Sequence, residues 1–171
     1  RLNADPGADA GETMTATDQA AMMNSTDIVA AVYKDGSWEA ESLTEDASPD
    51  LAPAVAAAGG KAIVAWRSVA STDMDSLTRF DAGDSILYKT YDGSKWSETK
   101  TLYNGTSGAV KGLEAAMLAD GTAALVYSID TNDRPIAQDG SQTYARSGQT
   151  AQDNTGLEIV YAIIDDTAEN S

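Results

Sequence analysis

The residues of this chain best suited to chemistry are short acids set among Gly, Asn, Ser and Thr: "DMD" at 73–75, "DAGD" at 81–84 and "DTND" at 130–133. Closely spaced carboxylates on loop-like sequence suit a hard cation such as calcium, which accepts oxygen ligands in flexible geometry. Asp73, Asp75, Asp81, Asp84, Asp130 and Asp133 are the candidate cation ligands. None of these stretches has the spacing of an EF-hand loop, and the same residues also serve as solvated turn residues that bend and cap the backbone. Arg79, Arg134, Tyr144 and Arg146 lie in the same regions and can stack on or hydrogen-bond a glycan or a protein. Local charge balance is the competing role for the arginines.

Other chemistries are excluded by composition. The chain has no Cys and no His, which removes the usual zinc sites, a Ser or Cys nucleophile paired with His, and imidazole acid–base catalysis. A formal net charge of -16 argues against nucleic acid, whose affinity comes from clustered Lys and Arg. Such acidity fits solubility in an extracellular or salty setting, or cation binding. No apolar run is long enough to span a bilayer. The opening "RLNADPGADAGETM" lacks the positive start and apolar core of a signal peptide. A first residue of Arg1 rather than Met leads to the expectation of a processed or excised piece of a longer protein.

The elements that must position these acids are strands. A length of 171 residues allows one ordinary domain. "YKDGSW" (33–38) and "YDGSKW" (91–96) both place Tyr five residues before Trp, and the two Tyr positions are 58 apart. "LAPAVAAAGGKAIVAWRS" (51–68) matches "LEAAMLADGTAALVYSI" (113–129), with Gly60 and Gly121, and Trp66 and Tyr127, each 61 apart. Apolar alternation interrupted by "DG" and "GG" dipeptides reads as hairpins. With four strands A to D per unit, the complete unit has A near 51–57, B near 61–68, C near 85–91 and D near 95–102. C (28–34) and D (37–43) precede it, and A (112–118), B (122–129) and C (157–164) follow, nine strands in all.

Four antiparallel strands repeating every 40 to 60 residues or so are the signature of a β-propeller blade. The chain resembles the blades of secreted bacterial propellers, in which a "YDGxxWS" hairpin joins the outer strands and a "DGxxxxVxW"-like hairpin joins the inner two. Here these are "YDGSKWS", "YKDGSW", "GGKAIVAW" and "DGTAALVY". The sialidase-type Asp-box (Ser or Thr, x, Asp, x, Gly, x, x, Trp) is only approximated, because Gly93 directly follows Asp92.

The resemblance implies an all-β fold, a section of a β-propeller built from four-stranded antiparallel blades with long B-to-C loop insertions. The organisation expected is an acidic N-terminal segment (1–27), a partial propeller of about two blades (28–165) and a C-terminal tail (166–171). The insertions at 70–85 and 130–156, and by register 1–27, would share one rim. Trp38 and Trp96 are expected to pack between blades, as are Trp66 and Tyr127. Function follows as an extracellular or cell-surface binding or scaffold module whose Asp-rich loops bind a cation, a glycan or a protein. The rival is a fragment of a sialidase-like or other glycan-processing enzyme with catalytic residues partly elsewhere. Its arginine cluster and Glu-assisted Tyr nucleophile have no recognisable counterpart here, so no catalytic residue is assigned. Since a propeller closes with at least about four blades, a companion polypeptide is expected, either the rest of the precursor or another copy.

Overall fold

A computed structural model describes residues 15, 18, 21, 22, 24–69, 84–104, 109–130 and 157–165. Its elements are strands: β1 (Val29–Lys34), β2 (Ser37–Ser42), β3 (Asp50–Ala58), β4 (Lys61–Val69), β5 (Asp84–Tyr91), β6 (Lys100–Asn104), β7 (Ala109–Met117), β8 (Ala123–Asp130) and β9 (Leu157–Ile164). They form three sheets in the orders β1-β2, β3-β4-β5-β6 and β7-β8-β9, and every strand pairing is antiparallel. The fold class is therefore all-β. No helix among the described residues is long and apolar enough to cross a membrane.

Turn chemistry sets the registers. Asp35 and Gly36 both have positive φ, 51° and 88°, as a two-residue primed hairpin turn requires, and they bring Tyr33 opposite Trp38. Gly59 and Gly60, with φ of 60° and 79°, close β3–β4 in the same way. The "YDGSKW" turn works differently. The Asp92 carboxylate accepts the Ser94 and Lys95 amides at 2.8 and 3.0 Å, and Tyr91 and Trp96 meet in an isolated bridge. Regular pairing resumes only at Tyr88–Lys100. The last strand of this unit thus starts at Lys100 rather than near 95, because the side chain organises a wider turn.

The sheets pack face to face in chain order. Between the second and third sheets, Ile63, Ala65, Ile86 and Tyr88 meet Val110, Ala123, Leu125, Tyr127 and Ile129 in one buried cluster. Between the first and second, Ile28 and Leu43 meet Val64 and Trp66, with Ala30 and Trp96 packed alongside. Strand β4 is buried on both faces because alternate residues serve different neighbours, Ile63 and Ala65 one way and Val64 and Trp66 the other. Trp66 and Tyr127 lie between sheets as expected, and Trp96 is half-buried against the smaller cluster. Trp38 departs from the expectation, being 70% exposed. Among the described residues its ring partner is Tyr33, at 5.3 Å between ring centroids, because no described sheet lies against its side of the hairpin.

Candidate functional site

One end of the sheets gathers the polar chemistry. Ladder register places Asp50, Ser68, Val69 and Asp84 together at that end of the second sheet, and Ala109, Asp130 and Leu157 at that of the third. Strands β4 and β8 therefore end, and β5 and β9 begin, on one rim.

Two junctions on this rim are tied by different groups. The Val110 amide donates to Asp84 Oδ2 at 2.7 Å. The Arg67 guanidinium holds the same carboxylate through Nε at 2.7 Å and Nη2 at 3.0 Å. Asp84 is buried and Arg67 nearly so, which makes this a paired, charge-assisted contact out of water. At the other junction the Asp50 amide donates to the Thr26 carbonyl at 3.0 Å. Counting back from the paired tyrosines, Tyr33 and Tyr91, Thr26 occupies the position of Asp84. A main-chain carbonyl and a carboxylate thus fill equivalent places.

Two buried acids, Asp27 and Asp50, flank the junction between the first and second sheets. Asp50 accepts the Trp66 indole N–H at 3.0 Å. Thr44 donates its hydroxyl toward Asp27 Oδ1 at 3.4 Å while receiving the Ile28 amide at 3.0 Å. Burial pushes the Asp50 carboxyl above its ordinary value, and the Asp46 charge adds to this, against hydrogen bonds from Ser68, Thr44 and Trp66. Burial likewise raises Asp27, opposed by Thr44. Thr44 therefore links two carboxyls that are both easier to protonate than in water. The turn acids behave oppositely. Asp92, held by Ser94 and Lys95, is lowered to about 2, and donors from Thr122 lower Asp120.

From the Asp27–Asp50 end a groove of about 1040 Å³ runs along β1 over one face of β3–β4. Val55, Ala57, Ala62 and Val64 are among its walls on the second sheet, and Tyr91 and Trp96 line it too.

Of the residues singled out in the sequence, Asp84 lies at the start of β5, with its oxygens engaged by Arg67 and Val110. Asp130 ends β8. Asp73, Asp75, Asp81, Asp133, Arg79, Arg134, Tyr144 and Arg146 lie outside the described residues. Among the described residues no group of three or more carboxylates, imidazoles or thiols is placed to hold a metal. Asp27 and Asp50 were not singled out. Their signal is an Asp directly before an apolar strand, in "STDIV" and "SPDLA", where a loop acid would be followed by polar residues.

No family model matches the chain, and neither a curated protein nor a solved structure matches it.

Proposed function

We propose that this chain is a section of a β-propeller that acts outside the cell, or at its surface, as a binding or scaffold module. The supporting observation is that the sequence repeat and the packing coincide. Ala62, Val64 and Trp66 face the first sheet or its groove, and their counterparts 61 residues on, Ala123, Leu125 and Tyr127, face the second. Strands β4 and β8 end, and β5 and β9 begin, on one rim, and the acids next to these ends, Asp73, Asp75, Asp81, Asp84, Asp130 and Asp133, are the calcium ligands of this reading. Arg79, Arg134, Tyr144 and Arg146 contact a glycan or protein ligand, and a companion polypeptide completes the ring of blades.

Calcium titration against chelator, read by thermal melting, tests the cation part. A ligand at a hundred times its Kd stabilises by about 2.7 kcal/mol, so calcium raises Tm in the native chain, and the pair Asp75→Asn and Asp81→Asn removes the rise. A native chain with no calcium shift overturns that part. Turnover of glycosides by the chain with its companion, lost on loop-acid substitution while affinity is kept, would replace the binding reading with an enzymatic one.

A further inference from the structure

We propose that the groove beside β1 is a docking site for a β-hairpin from another polypeptide segment, one that adds a strand to the open edge of β1 and lays its small apolar side chains over β3–β4. The inference deepens the reading above and rests on its repeat.

The argument starts from one face seen twice. In the third sheet, β7–β8 presents Ala115, Met117, Ala123, Leu125 and Tyr127, and the second sheet covers these residues. Hairpin register assigns their counterparts on β3–β4: Val55 pairs with Val64 as Ala115 pairs with Leu125, and Ala57 pairs with Ala62 as Met117 pairs with Ala123. On β3–β4 the described residues cover that face only around Val64 and Trp66. Val55 is 66% exposed and, with Ala57, lines the groove. The element that lies over the covered copy includes a hairpin, β3–β4 itself, contributing Ala56, Ile63 and Ala65. Among the described residues no such hairpin lies over the open copy.

The edge of β1 agrees. In the second sheet, β5 has β4 on one side and β6 on the other, whereas among the described residues β1 pairs with β2 alone. The Leu43 amide donates to the Ile28 carbonyl at 2.8 Å, so even-numbered residues of this ladder bond toward β2. By antiparallel alternation the amides of Val29, Ala31 and Tyr33 point to the open edge. A hairpin strand laid there satisfies them by strand addition. The turn of the occupant is constrained as well. Where β3–β4 lies beside β7–β8, a Cβ on Gly59 would run into the Ala119 carbonyl oxygen. By likeness to β3–β4, whose turn residues Gly59 and Gly60 have positive φ, the docking hairpin carries Gly in its turn and Ala, Val or Ile at alternate strand positions.

The chain's own hairpin, residues 50–69, is the probe, used as a synthetic peptide and also joined through a flexible Gly/Ser linker ahead of Arg1 of the full chain. The linker holds the hairpin at an effective concentration near the millimolar range, so weak docking is still read. Hydrogen exchange is expected to slow at Val29, Ala31 and Tyr33 in the joined protein, with Ala30 and Val32 unchanged. Val55→Lys in the recipient face should weaken peptide binding at least about tenfold, since it sets a charge under the docked strand. No added protection at those three amides in the joined protein overturns the proposal. So does protection of the same amides in the unmodified chain that grows with concentration alongside a dimer mass in light scattering, for then a second copy is the occupant. The readout is independent of calcium and of the loop acids, so loss of the rim reading leaves this result standing, and the reverse holds too.

Discussion

The central sheet meets its two neighbours unequally. Toward β7–β8 it is closed by a continuous cluster from Ile63 to Ile129; toward β1 it is closed only around Val64 and Trp66, and beyond them lies the groove. The third sheet repeats the contrast. Ladder register sets Tyr161 opposite Val126 where Tyr88 stands opposite Ala65, yet Tyr88 is 9% exposed and Tyr161 74%. Equivalent residues on equivalent strands differ because burial depends on which sheet lies against them. Strand pattern encodes which side is apolar, and the stacking of sheets decides whether that side is dry.

Substitutions that separate the two sides test this contrast. Leu125→Ala empties a fully buried position in the closed junction and should cost about 2–5 kcal/mol, while Val55→Ala on the open face should stay within about 0.5 kcal/mol. Denaturant melts of both variants measure the asymmetry, and equal losses would break it. Arg67→Met leaves the buried Asp84 carboxylate, among the described residues, with the Val110 amide. About 3 kcal/mol should be lost, because the uncompensated charge stays out of water.

At the half-open junction burial raises the Asp27 and Asp50 carboxyls. A carboxyl raised by burial contributes most below its unfolded value, near 3.9, and that contribution is lost as pH rises through the raised folded value. Asp50→Asn keeps an acceptor for the Trp66 indole and cannot ionise. It should raise Tm at pH 7, with the difference closing toward pH 4; a constant difference across that range would show that burial does not set the Asp50 titration. The smallest effect distinguishes the two hairpins. Trp38→Ala and Trp96→Ala each remove a tilted Tyr–Trp contact, at 5.3 and 5.2 Å, but of the two only Trp96 also packs against the buried cluster of Ile28, Leu43, Val64 and Trp66. The Trp96 variant should lose about 1 kcal/mol more in thermal melts.

Much of this architecture was legible in residue order. Alternation around "GG" and "DG" marks the nine strands of the described residues, and the 61-residue offset matches Trp66 to Tyr127. The start of β6 was missed because Asp92 acts through its side chain, which leaves no mark on apolar alternation. Asp84 was legible as an acid worth naming but not as a strut, since its partners Arg67 and Val110 lie 17 and 26 residues away. Asp27 and Asp50 were missed for a related reason. An acid before a strand looks like a turn residue until Thr44 and Trp66 fold over it.

Residue order alone settles local matters in this protein: turn type through Asp35–Gly36 and Gly59–Gly60, strand register, and the side each side chain takes, because backbone dihedrals and the two-residue pleat are short-range properties. Tertiary structure decides which identical-looking faces become core, which carboxylate gains a guanidinium, and where a strand edge is left open. Those outcomes depend on desolvation and on contacts between residues tens of positions apart, quantities that a run of neighbours does not contain.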